Sequence, residues 1–342
     1  MKLSYIIKEA KYYRKITGIS KAIKKFLLTQ THLSKYVNSK SNNRVYSRII
    51  KHSAKKIEPT ALQIENTNLC NARCIMCPHT IMKRKGKIMG QKEFEKIVDN
   101  VMKHYEITRL AITGFGEPLI DKGLIEKIKY INKKYKMIQI ELYTNASLLT
   151  KELSEQLLKV NIKRITFSIN GTRQNYKPIV GLDYDVTHKN ILYFLKRKKE
   201  LKSSVLTNAS LMILKENEKS VQKFIDFWSQ RTDSVRVYPP SNWAGAVEGI
   251  IQNTPFKNNK RWPCSILWNS ITVDVNGNVI MCCRDYESKL TFGNILKTDI
   301  KEIRNSKKFK ELLKNHLKFN FSMPICNTCD NSYDSSIDWI CK

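Results

Sequence analysis

From Ala61 to Tyr238 short apolar runs alternate with helical stretches, and that rhythm constrains the fold more than any single motif. Runs at 62–66, 107–113, 137–144, 163–169, 205–213 and 234–238 read as strands. Helical patterns lie between them, near 91–105, 121–135, 150–160, 185–201 and 217–230, and Asn217 is placed to cap the last one. Such alternation implies an α/β fold with a parallel sheet, which right-handed crossovers roll into a barrel or partial barrel. Ligands of such barrels bind at the C-terminal ends of the strands. The loops with suggestive composition, 67–79, 114–118, 144–147 and 170–173, each follow a strand.

The first of these loops holds Cys70, Cys74 and Cys77 in the run Cys70-Asn71-Ala72-Arg73-Cys74-Ile75-Met76-Cys77-Pro78. Thiolates select iron–sulfur clusters over harder ligand sets. A structural cubane takes four protein ligands, so three leave one iron open to a substrate or cofactor. An open metal position marks a catalytic site. The competing reading is a structural zinc site completed by His79.

Nine cysteines, no apparent signal peptide and no long apolar run imply a cytoplasmic chain whose cysteines bind metal, with no transmembrane segment. The formal charge is +31, and residues 1–56 carry fifteen Lys or Arg against the single acid Glu9. Ile6, Ile7, Ala10, Tyr13, Ile16, Ile23, Phe26 and Leu27 fall near helical spacing there. This predicts a basic helical extension over 1–56, packed on the main domain or touching an anionic surface, peripheral membrane included.

Beyond Pro239-Pro240 the pattern changes, and Ser241 to Arg261 reads as a connector. Ile271 to Val275 and Val279 to Cys282, joined by Asn276-Gly277-Asn278, read as a β-hairpin, with a helix near 299–315 after it. Cys264, Cys282, Cys326 and Cys329 supply four thiolates, for which a zinc knuckle is the alternative use. Cys283 reads as a small buried residue and Cys341 as a terminal one. The expected units are 1–56, 57–245 and 246–342.

Taken in order at successive strand ends, the cysteine loop, Gly114-Phe115-Gly116-Glu117-Pro118, Thr144-Asn145-Ala146 and Ser168-Ile169-Asn170-Gly171 make residues 60–240 resemble the radical S-adenosylmethionine superfamily. The resemblance implies a partial (β/α)6 TIM-like barrel, a [4Fe–4S] cluster on Cys70, Cys74 and Cys77, and S-adenosyl-L-methionine as the source of a 5′-deoxyadenosyl radical. It implies that the segment Gly114, Gly116, Glu117 and Pro118 binds the methionine amine. Thr144, Asn145, Ser168 and Asn170 suit the ribose hydroxyls and the carboxylate, and Met76 would lie near the adenine. Two positions depart from the family pattern: Met76 stands where many members have an aromatic, and Phe115 interrupts a commoner double glycine. The C-terminal layout resembles the SPASM/twitch extension. Its shortage of further cysteines, with Ser335 and Ser336 in their region, implies one auxiliary [4Fe–4S] cluster on Cys264, Cys282, Cys326 and Cys329.

A closed auxiliary cluster suits electron transfer, so the expected function is dehydrogenation or epimerisation of a small molecule, a carbohydrate for preference. Residues 1–56 lack the strand pattern of a leader-peptide recognition unit, which ranks maturation of a peptide or sulfatase-type protein second and RNA modification third. An anionic substrate such as a nucleotide-linked sugar would suit the basic surface. The expected partners are that small molecule and an external one-electron donor of flavodoxin or ferredoxin type. Arg236 and Tyr238, expected on alternate faces of the sixth strand, are the candidate catalytic groups. Asn242 and Trp243 follow in the loop, where the indole either stacks on a sugar or packs in the linker.

Overall fold

The computed structural model describes residues 57–84, 86–247 and 263–329. The expected extension 1–56, part of the connector and Cys341 lie outside the described residues.

Six strands, β1 (Ala61–Ile64), β2 (Arg109–Ile112), β3 (Gln139–Thr144), β4 (Arg164–Ser168), β5 (Leu206–Met212) and β6 (Ser234–Tyr238), pair in parallel in chain order. Helices α1 (Gln91–Met102), α2 (Leu124–Lys134), α3 (Lys151–Lys159), α4 (Tyr176–Val180), α5 (Tyr184–Glu200) and α6 (Val221–Ser229) lie between them. All six expected strands and all five expected helices are present, with ends trimmed by a few residues; α4 is an addition.

The sheet does not close. Past β1 it continues into β7 (Ser270–Val273), β8 (Asn278–Ile280) and β9 (Thr291–Asn294), in the order β6-β5-β4-β3-β2-β1-β7-β8-β9. β7 is parallel to β1, with Ala61 opposite Ser270 and Ile64 opposite Val273, whereas β8 and β9 run antiparallel. The C-terminal hairpin is thus the continuation of the barrel sheet. Its turn forms as Asn276-Gly277 predicts: Gly277 takes φ +79°, and Asp274 Oδ1 accepts from the Asn276 and Asn278 amides, both at 2.9 Å.

Burial follows the pleat. Leu62, Ile64, Leu110, Ile112, Ile140, Leu142, Ile165 and Phe167 join the buried faces of the helices, such as Phe94, Ile97, Ile128 and Phe194, in one core. The opposite face carries Gln63, Glu141, Tyr143, Arg164, Thr166, Asn208 and Ser210 in register. Helices α7 (Ile266–Asn269), α8 (Ile300–Asn305) and α9 (Lys307–Leu317) complete the C-terminal part. The single helix expected near 299–315 is two, because Ser306 takes an extended ψ of 149° and caps α9 by accepting from the Phe309 amide at 3.3 Å. Asn217 does not cap α6. Its side chain accepts from the Leu214 amide and donates to the carbonyls of Asn170 and Met212, so it ties the loops after β4 and β5 together.

One buried ion pair secures the loop after β2. Lys127 of α2 meets Asp121 at 2.6 Å, and the same carboxylate oxygen accepts from Asn66 of the β1 loop at 3.0 Å. Removing one partner leaves the other charge buried and uncompensated. Lys127→Ala is therefore expected to lower unfolding free energy by about 3–5 kcal/mol, measured by urea denaturation.

Candidate functional site

The loops after β1 and β2 are stitched into one unit. The Glu117 amide donates to the Leu69 carbonyl at 2.7 Å, one residue before Cys70. Gly116 makes this approach possible: a Cβ there would sit 2.2 Å from the Thr67 carbonyl oxygen. At Gly114 a Cβ would meet Glu65 Cγ at 2.5 Å. Glu65 itself, which pattern reading did not single out, accepts from the Phe115 amide (3.1 Å), from Arg84 (2.5 Å) and from the Val275 amide beyond β7 (3.1 Å). The only forewarning was an acid ending an apolar strand.

The middle of the cysteine loop is clamped by α4. Arg73 and Ile75 amides donate to the Val180 and Ile179 carbonyls at 3.0 and 2.9 Å, and Gly181, at φ +75°, lies against Arg73. Cys70, Cys74 and Cys77 are half-buried. Burial pushes the Cys74 thiol well up, and the Cys77 and Cys70 thiols add to it. His79 Nε2 lies 3.0 Å from the Asn68 carbonyl, an in-chain use for the nitrogen that a zinc site would claim.

Glu117 is buried and accepts from Leu119 N (3.1 Å), Thr144 Oγ1 (2.6 Å) and Asn145 N (2.7 Å). Burial lifts its carboxyl to about 7 against those three donors. Thr144 also accepts from the Ala146 amide at 2.9 Å, and Asn145 donates to Asn71 in the cysteine loop at 3.0 Å. Gly114, Gly116, Glu117, Pro118, Thr144 and Asn145 thus form one assembly with the cysteine loop. Asn170, at φ +57°, accepts from the Met212 amide at 2.9 Å and serves the neighbouring strand end, while Ser168 faces Ser210 across β4 and β5. Phe115 is buried: Trp243 and Tyr286 meet its ring edge-on at 5.5 and 6.1 Å, and the Arg84 guanidinium lies 5.8 Å above it.

The polar strand face adds a cluster that pattern reading missed. Arg164 meets Glu141 at 2.6 Å, and the Tyr143 hydroxyl donates to Glu141 at 3.2 Å. Burial pushes the Tyr143 phenol up to about 12; Glu141 adds to the rise, and Arg164, Tyr238 and Arg236 also act on it. Arg236 and Tyr238 therefore share this face. The expectation of alternate faces is corrected by the period of two, which puts residues i and i+2 on one side. The strand sequence Gln139-Ile140-Glu141-Leu142-Tyr143 carried the signal, a polar residue at every second place.

Cys264, Cys282, Cys326 and Cys329 line one cavity with Met281, His316 and Arg284. Burial raises the Cys282 thiol well above its usual range, with Cys283, Cys264 and Cys329 adding to it. Buried His316, just past the expected helix end, accepts from the Cys264 amide at Nδ1 (3.3 Å), which leaves Nε2–H directed at Cys326 Sγ, 3.2 Å away. Cys283 is half-buried and does not line the cavity. Among the described residues no three His, Cys, Asp or Glu side chains converge tightly enough for a single metal ion. A cubane, with irons at the corners of a box, spreads its thiolates more widely. All-thiol donor sets, one of three in a half-buried loop and one of four around a single cavity, fit iron–sulfur clusters.

Residues 64–227 match the family model of the radical SAM superfamily, and residues 264–330 match SPASM, an iron–sulfur cluster-binding domain. The S-adenosyl-L-methionine-dependent 2-deoxy-scyllo-inosamine dehydrogenase of Niallia circulans is 21% identical over 276 residues, 79% of this chain and 92% of that protein. The tungsten-containing aldehyde ferredoxin oxidoreductase cofactor-modifying protein of Pyrococcus furiosus is 27% identical over 165 residues, 47% of this chain and 45% of that protein. The match therefore spans less than half of that relative. Among solved structures, BtrN in complex with AdoMet and 2-DOIA has a TM-score of 0.54 at 18% identity, covering 80% of this chain and 93% of that one. Streptococcus suis SuiB bound to precursor peptide SuiA has 0.63 at 16%, covering 84% and 73%. At these identities the likeness is one of fold.

Two outcomes follow for this site. Gly116→Ala is expected to force the β1 and β2 loops apart and lose the content of one cluster, read by iron and sulfide analysis after anaerobic reconstitution. A carboxyl raised in the folded state binds more protons there than in the unfolded chain, so the Glu117 contribution to stability falls as pH rises from about 4.5 to about 7 and is level above. Glu117→Gln should flatten that slope in urea titrations run across the same range.

Proposed function

Because the chain belongs to the radical S-adenosylmethionine superfamily and carries its SPASM extension, we propose that it dehydrogenates a secondary alcohol of a small carbohydrate-like substrate, a cyclitol or sugar. Cys70, Cys74 and Cys77 would hold the catalytic cluster, and Cys264, Cys282, Cys326 and Cys329 one auxiliary cluster. When bound, the first cluster and S-adenosylmethionine supply a 5′-deoxyadenosyl radical able to take a hydrogen atom from an unactivated carbon. Oxidation to the ketone requires the substrate to lose its hydroxyl proton and one further electron, which an auxiliary cluster held by Cys264, Cys282, Cys326 and Cys329 would accept. That site, together with the polar strand face, is the observation that carries this reading. The relative matched along most of both chains, a dehydrogenase of 2-deoxy-scyllo-inosamine, supports it.

The chain's own groups hold and orient. Glu141, Tyr143 and Arg164 offer both donors and acceptors to a polyol, and the Tyr143 phenol, protonated at neutral pH in any case, is pushed further up by burial. Arg236 and Tyr238 lie beside them and are proposed to contact the reacting hydroxyl.

An external flavodoxin- or ferredoxin-type carrier is proposed to deliver the reducing electron. From Asn66 to Lys92 the sequence has no acid, and Ile75 (44%) and Ile81 (52%) are exposed beside the cysteines, among Arg73 and Lys83. An acidic carrier suits that face. The basic stretch 1–56 is proposed to reach an anionic surface; no described helix is long and apolar enough to cross a membrane.

The test is a pair of variants assayed with reduced enzyme and candidate cyclitols. Cys74→Ala should form no 5′-deoxyadenosine. Cys282→Ala should still form it when substrate is present but yield no ketone. Cleavage indifferent to every polyol offered, but triggered by a thiol- or hydroxyl-bearing peptide, would replace this reading.

A further inference from the structure

The segment just after β6 touches both cysteine loops at once. The Trp243 indole N–H donates to the Met76 carbonyl at 2.7 Å, beside Cys77. Its ring is held edge-on by Phe115 at 5.5 Å and faced by the Arg284 guanidinium at 4.9 Å. Arg284 in turn donates to Ser241 and is two residues from Cys282. The Ala244 carbonyl accepts from the Thr328 hydroxyl at 2.5 Å, and Asn242 donates to the Thr328 carbonyl at 3.3 Å. Thr328 lies between Cys326 and Cys329.

Trp243, Ala244 and Gly245 all take positive φ, +50°, +59° and +86°. Two of these three are not glycine, and such geometry persists only where surroundings over-determine it. Here the surroundings are the two cysteine loops themselves. A strained segment hydrogen-bonded at both ends forms a contiguous physical route from one loop to the other.

We propose that Trp243 is a positioning residue that couples the auxiliary cysteine loop to the catalytic one, through the chain Cys329, Thr328 hydroxyl, Ala244 carbonyl, Trp243 indole, Met76 carbonyl, Cys77. The backbone around Cys77 is set by the state of the Cys326–Cys329 loop, and the reverse holds by linkage. The inference rests on the family assignment and not on which substrate is oxidised.

The test uses reconstituted holoprotein with iron and sulfide content verified, and reads amide hydrogen exchange at Ile75 and Cys77 together with S-adenosylmethionine affinity. Trp243→Phe keeps the ring between Phe115 and Arg284 and removes only the N–H. Thr328→Val removes only the distant hydroxyl. Both are expected to speed exchange at Cys77 several-fold and to weaken cofactor binding in the same direction, and the double variant to do no more than either alone. Wild-type exchange and affinity in Thr328→Val overturn the proposal, as do effects that simply add in the double variant. If Trp243→Phe fails to load its clusters, Thr328→Val decides alone.

Discussion

The carboxylate of Glu65 is the point on which the architecture turns. Three groups converge on it through four hydrogen bonds: a bidentate guanidinium from Arg84, the Phe115 amide of the β2 loop and the Val275 amide beyond β7. A buried carboxylate needs this many donors, because desolvation otherwise outweighs its attraction to one partner. Satisfying it fixes three separate stretches of chain relative to β1. The loop that presents the cysteines, the loop that packs against it through Gly116 and the first hairpin of the C-terminal part are all set by one side chain. Phe115, a departure in the glycine loop, belongs to this arrangement. Its ring fills the space between Arg84, Tyr286 and Trp243 that a smaller residue would leave open.

Above that anchor the site is organised by commitment of polar groups to one another. Thr144, Asn145 and Leu119 spend donors on Glu117, and Asn145 reaches the cysteine loop through Asn71. These groups are pre-positioned at no cost when a ligand arrives. The thiols stand in the opposite condition. Burial and the neighbouring thiols make deprotonating Cys74 or Cys282 unfavourable in the bare chain, and a bound iron–sulfur cluster would reverse that balance. The Nε2–H of His316, directed at Cys326 Sγ, would support a thiolate there.

The barrel was legible because strand and helix periods differ so plainly: Val221 to Ser229 cannot be mistaken for Ser234 to Tyr238. Spacing picked out the two cysteine sets but left zinc open as their use. What escaped were residues whose role lies in long-range partnership. Glu65 looks like an ordinary strand-end acid, and Glu141 like an ordinary mid-strand one, until Arg84 and Arg164 come beside them. Helix α4 is too short to carry a period, although Pro178 and Gly181 punctuate it, and its carbonyls hold the cysteine loop. The shared face of Arg236 and Tyr238 was available from the pleat and was misjudged. The break at Ser306 was written in its capping chemistry, which a continuous apolar period concealed.

The parallel seam between β1 and β7 joins stretches of chain more than two hundred residues apart. During synthesis β1 emerges early and β7 late, so one edge of the nascent sheet stays bare for most of translation. Bare edges recruit other chains, and distant pairings form slowly. A chain stalled beyond β6 would hold all six parallel strands with the β1 edge unpaired, the kind of edge that chaperones shield.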